Sequence, residues 1–200
     1  MVSTAFCPGA DVDPSPYDSI IISSNKVYFH VHRQRLLSVS SNSFNFINLP
    51  VETEVHVPEH STVLNVVLHT MYGISCSKYR LSLYLLLSSL SVLEKYGVAV
   101  KLFITPETPL FDLILMHIPS QENTIEIYMT AAAHDIFSLA QVVSPHLLSF
   151  QLPTLTDDMA TRMGPIYLKR LFSLHMIQSR TLLQLTSVPP EGHMPTVNCH

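Results

Sequence analysis

Eleven histidines in 200 residues invite a metal-binding reading. His30 and His32 are two apart, so on a strand both imidazoles point to one face and could chelate a cation. A third and fourth ligand at motif spacing are missing. The competing reading, that His32 caps or packs between a strand and a helix, is therefore favoured. His193, Cys199 and His200 cluster near the end of the chain, but their spacing matches no standard zinc signature. No metal and no cofactor is expected.

Nucleophilic chemistry has as little to draw on. No Gly-x-Ser-x-Gly occurs, and Cys76 carries no local family signature, so it is read as a semi-buried structural cysteine. Asp157 and Asp158 are adjacent. On a helix they diverge by about 100° and cannot share a proton. Their place is a helix N-terminus, where negative charge is favourable. The five glycines are far apart, which rules out a phosphate-cradling loop. Lys169-Arg170 could meet an acidic partner, but a solvated helix face opposite Leu168, Leu171 and Phe172 is the favoured reading. No catalytic residue is expected.

Bulk composition agrees with a binding module. Hydrophobic residues make up 47% and charged residues 13%, enough apolar surface for a core and low in charge. The net charge is −4, and no Lys/Arg run exceeds two residues, which disfavours nucleic-acid binding. Leu81–Leu93 is the longest apolar stretch, but serines interrupt it and it is too short to span a bilayer. Three widely spaced cysteines make no disulfide framework. The N-terminus shows no secretory pattern. An intracellular location, cytoplasm or nucleus, is expected.

The elements that would position these residues follow from periodicity. Residues 1–16 carry prolines without pattern and read as a flexible leader. Ser19–Ser23 reads as a strand, Ser24-Asn25-Lys26 as a tight turn, and Val27–Val31 alternates as a second strand. Helix signals begin at Arg33. Ser40–Ser43 supply capping chemistry before Phe44, Phe46 and Ile47. Val55–Val57 reads as a third strand. Ser61 caps a helix running to Gly73, and Leu83, Leu86, Leu87, Leu90 and Leu93 form the stripe of a second, ended by Gly97.

Past Gly97 the chain turns helical, with a boundary near residues 104–122. Leu110–His117 reads as a helix, and Asn123 with Glu126 as a capping box. Ile125, Met129 and Ala132 form one face, and Phe137, Leu139, Ala140 and Val143 the next. Ser144-Pro145 can start another turn. Thr156 caps Asp157–Met163, and Gly164-Pro165 punctuates. Ile166–Leu185 is the longest helix, with Leu168, Leu171, Phe172, His175, Met176 and Leu183 inward by period. Residues 188–200 read as an irregular tail. The fold class is α+β: a small sheet packed by helices (17–103), then a helical extension (104–187).

The strand ending Phe29-His30-Val31-His32-Arg33, followed by Leu36-Leu37, resembles the start of a BTB/POZ domain. Val55–Val57, the helix ending Tyr72-Gly73, and Leu90–Gly97 with Lys95-Tyr96 continue the resemblance over residues 17–100. Asn65–Gly73, Ser144–Phe150 and Arg162–Phe172 resemble BTB proteins that mushroom-forming fungi carry in large numbers, whose pattern runs past a cysteine like Cys199. The chain is therefore expected to stop inside a larger pattern. The resemblance implies a protein-interaction module without catalysis, self-associating or pairing with other proteins. It also leaves open an adaptor for a cullin-type ubiquitin ligase. It places the dimer surface on Arg33, Arg35, Leu36, Leu37, Val39 and Ser40. Arg35 departs from the apolar or acidic residue common there.

Overall fold

The computed structural model describes residues 1–10, 12–42 and 54–187. The helix start read over Ser43–Ile47 and the tail read over 188–200 lie outside them.

Strand β1 (Ser19–Ile22) pairs antiparallel with β2 (Tyr28–Val31), with Ile21 opposite Phe29. The turn between them is held by Ser23, whose hydroxyl donates to Asn25 at 2.8 Å and accepts the Val27 N–H at 2.9 Å. Strand β3 (Glu54–His56) lies on the other side of β1 and runs parallel to it, giving the order β2-β1-β3. A parallel neighbour needs a crossover connection. Part of that connection is helix α1 (Arg33–Val39), which starts where Asp18 accepts the Arg33 N–H at 2.7 Å.

Within the segment read as a flexible leader, Met1, Ser3 and Phe6 bond to β2. Tyr28 N–H donates to Met1 O at 2.9 Å, Ser3 N–H to Tyr28 O at 2.8 Å, and His30 N–H to Phe6 O at 2.9 Å. The first residues thus pair with the otherwise open edge of β2, whose backbone groups need partners. Phe6 is fully buried, with its ring edge-on to His69 and Tyr72 at 5.2 Å each.

Helices α2 (Ser61–Tyr72) and α3 (Leu83–Lys95) pack against each other and share one buried core with the sheet. The cap of α2 is His60, one residue before the Ser61 expected. Gly73 ends α2 in the left-handed region, and the Ile74 N–H returns to His69 O at 2.9 Å. All five leucines of the α3 stripe are buried.

Gly97 follows α3 at φ +69°, and a Cβ there would stand 2.3 Å from Ser41 Oγ and 2.9 Å from Asn42 N. Ser41 N–H donates to Gly97 O at 3.0 Å, and Asn42 Nδ2 to Lys95 O at 2.7 Å, so the end of α1 is pinned against the end of α3. Gly97→Ala is expected to cost about 2 kcal/mol, from the left-handed backbone plus the clash. Gly73→Ala, at φ +69° with nothing within 4 Å, is expected to cost only about 1 kcal/mol. Urea unfolding of both variants checks the difference.

The second half is helical: α4 (Val100–Phe103), α5 (Pro109–Leu115), α6 (Gln121–Ala133), α7 (Phe137–Val143) and α8 (Asp157–Ser187). Thr156 caps α8 through Met159 N–H at 3.2 Å, and Gly164 breaks it with a non-helical φ of 66° and ψ of 168°. The capping box is not formed. The helix starts earlier, Asn123 donates to His117 O at 3.1 Å, and Glu126 pairs with Arg162. One contiguous buried cluster runs from Ala5 to Leu171 through both halves. The fold is α+β. No helix among the described residues is long and apolar enough to cross a membrane.

Candidate interaction surface

The residues expected at a dimer surface divide by face. Arg35 and Leu37 are exposed, and Arg33 and Val39 half-buried. Leu36 is fully buried in the core. Ser40 is buried too, and its hydroxyl donates to Tyr96 O. Leu36 and Ser40 are thus corrected from contact residues to packing residues. A seven-residue helix shows a neighbour only the side that its own domain does not use.

Arg35 is tied back to α2: its guanidinium donates to Tyr72 O at 3.4 Å and stands 5.9 Å from the Tyr72 ring centre. Tyr72 in turn accepts the His32 N–H at 2.8 Å and lies 2.9 Å from His32 Nδ1, while His32 Nε2 lies 2.8 Å from Ser15 O. These bonds are all satisfied when Nε2 carries the ring proton. Burial pushes the Tyr72 phenol up to about 12. His32 therefore packs at the strand–helix junction, with its nitrogens engaged by Tyr72 and Ser15. His30 turns to the Tyr17 ring instead, 4.4 Å between centroids.

Among the described residues no group of three or more His, Cys, Asp or Glu is arranged to hold a metal ion. Cys76 is buried, and burial pushes its thiol up, the opposite of what activates a nucleophile. The α3/α6 cleft is lined by Tyr84, Ser88, Thr130 and His134. His134 Nδ1 lies 2.8 Å from a Glu94 oxygen but off the hydrogen-bond axis.

The larger feature lies along α8. Of the residues read as inward by period, Leu171 is buried and Leu168 and His175 are half-buried. Phe172 is 42% exposed, Met176 68% and Leu183 69%. Ile177, Leu182 and Leu185 are also more than half exposed. Residues 181–187 are exposed on every side. The period marks an amphipathic stripe but not what covers it.

Beside that stripe, α7 and α8 enclose a groove of about 590 Å³ lined by Phe137, Ile166, Leu174 and Ile177, with Lys169 and Arg170 on its wall. Phe137, expected inward, is half exposed there. The Arg170 guanidinium lies 4.6 Å from the Phe137 ring centre and 4.8 Å from that of Tyr167. Tyr167 anchors this part of α8: its hydroxyl donates to Asp135 at 2.9 Å, and its carbonyl accepts from Tyr128 at 2.9 Å. Sequence reasoning saw Lys169-Arg170 but missed the groove. The available signal was the run from Met159 to Ser187, which holds four Lys and Arg and no acid.

No protein-family model matches the chain, and no protein of curated function matches it.

Proposed function

We propose that this chain is a non-catalytic protein-interaction module of the BTB/POZ type that mediates homo- or hetero-oligomerisation inside the cell. The observation that carries the reading is the uncovered apolar surface of α8. Exposed apolar area concentrated on one element marks a partner site. The resemblance over residues 17–100 supports the family, and the β2-β1-β3 sheet that shares its core with the packed α2 and α3 is compatible with it. The buried free thiol of Cys76 suits a reducing compartment.

Self-association is assigned to the exposed side of α1, which carries Leu37 and Arg35. Burying a cation at a dimer contact is costly unless it is paired. Arg35→Leu is therefore expected to tighten self-association roughly ten-fold, the effect of burying one more apolar side chain. Light scattering across micromolar concentrations reads both parts. A monomer at every concentration sinks self-association, and an unchanged dimer constant in Arg35→Leu places the contact elsewhere.

A further inference from the structure

We propose that the α7/α8 groove is a docking site for an acidic amphipathic helix of a partner protein, an inference that rests on the interaction-module reading. Three observations converge on this occupant.

The first is shape. The groove is concave, and its α8 wall runs from Ile166 to Ile177, about 17 Å or three turns. A partner helix fills such a groove with anchors at i, i+3 or i+4, and i+7. The second is chemistry. The lining is mostly apolar, and nothing in it carries a negative charge, whereas Lys169 and Arg170 stand on its wall.

The third is the distribution of charge. Four of the chain's 11 Lys and Arg fall between Met159 and Ser187, and all 15 Asp and Glu fall outside that run. Arg162 is paired with Glu126. Among the described residues, no ion pair is made by Lys169, Arg170 or Arg180. A basic stretch in an acidic chain selects a partner whose carboxylates flank its apolar anchors, and such flanking pairs act on specificity and association rate.

The same facts speak against other occupants. Two copies of α8 laid together would bring one acid-free run with four Lys and Arg against another, a like-charge arrangement. A lipid surface suits a convex apolar face with cations free to reach the headgroups. Here Arg170 is laid across two rings inside a concave wall.

The test uses the purified full chain and two designed peptides that share one leucine stripe at helical spacing. One peptide carries glutamates beside the stripe and the other lysines. Fluorescence anisotropy is expected to show the glutamate peptide binding at least roughly ten-fold tighter, with the advantage shrinking at high salt. Lys169→Glu should weaken the glutamate peptide, and Lys169→Glu with Arg170→Glu should reverse the preference. Ile177→Asp should weaken both peptides. The reversal is its own control for folding, since an unfolded variant would bind neither peptide selectively.

Equal binding of the two peptides, or binding of neither, overturns the proposal. So does chain that binds vesicles containing phosphatidylserine but no peptide. A dimer that Lys169→Glu disrupts and the glutamate peptide does not would make a second copy the occupant. A chain ending at Ser187 that binds the glutamate peptide more than roughly ten-fold tighter would make the chain's own residues 188–200 the occupant. A chain that self-associates yet binds neither peptide leaves the module reading intact and removes this one.

Discussion

Phe6→Ala is expected to lower the unfolding free energy by about 3–5 kcal/mol, the usual cost of truncating a buried aromatic side chain. Phe6 is fully buried and reaches Phe29 of the sheet at 6.2 Å and His69 and Tyr72 of α2 at 5.2 Å. It therefore joins the leading segment, β2 and α2 at one point. Removing the ring leaves a cavity that cannot be closed by backbone movement, because the flanking residues are hydrogen-bonded to β2 through Ser3 N–H and Phe6 O. Urea unfolding reads the loss. A second readout separates local from global damage. Burial holds the His69 imidazole below its ordinary value, partly offset by the hydrogen bond to Asn65 O. Opening the Phe6 side to water should move its titration upward, followed by NMR. A variant as stable as the parent, with His69 unmoved, would return residues 1–7 to the role of a loose leader.

That prediction could not have been drawn from the sequence, and the reason is physical. Phe6 sits among Ala5, Cys7, Pro8 and Gly9, where neither a 2.0 nor a 3.6 residue period exists to be read. Its burial depends on an edge of β2 that only the assembled sheet presents. Periodic segments were legible: the Ile21/Phe29 hairpin, the α2 run to Gly73 and the α3 leucine stripe all follow from local pattern. The α+β class followed from their order. Two helix faces were misjudged because period reports an apolar side and not the neighbour that covers it. Phe137 and Met176 carry the signal that Leu139 and Leu171 carry, yet only the latter pair meets a packed partner. At the candidate surface, Leu36 and Leu37 are consecutive and alike in type. Which of them enters the core is settled by the angle at which α1 leaves His32, a tertiary quantity.

The mixed half of the chain is closed by a polar contact in an apolar setting, and this gives the second large effect. Glu59 is buried just ahead of α2, and its two carboxylate oxygens receive Lys95 Nζ and the Tyr96 hydroxyl from the end of α3. Its backbone carbonyl accepts Ser24 N–H at 2.9 Å, so one residue ties the hairpin turn, the start of α2 and the end of α3. Burial pushes the Glu59 carboxyl up, but the Lys95 and Tyr96 hydrogen bonds outweigh it and hold the group below its ordinary 4.5. The Tyr96 phenol is driven upward by burial and by the adjacent carboxylate, so it remains a donor.

Glu59→Ala removes the carboxylate to which the buried Tyr96 hydroxyl donates and the counter-charge of Lys95. The hydroxyl alone costs about 1–3 kcal/mol. The half-exposed ammonium adds about 1 kcal/mol or less, since water screens it. A total of about 3 kcal/mol is expected by urea unfolding. Glu59→Gln keeps an acceptor for one donor and should lose about half as much. A carboxyl held below its ordinary value stabilises the fold above that value, and the contribution disappears as pH falls through the folded one. Stability of the parent should therefore decline below about pH 4.5 more steeply than that of Glu59→Gln. Parallel pH profiles for the two proteins would mean that the carboxylate charge contributes nothing at this junction and that the hydrogen bonds alone hold it.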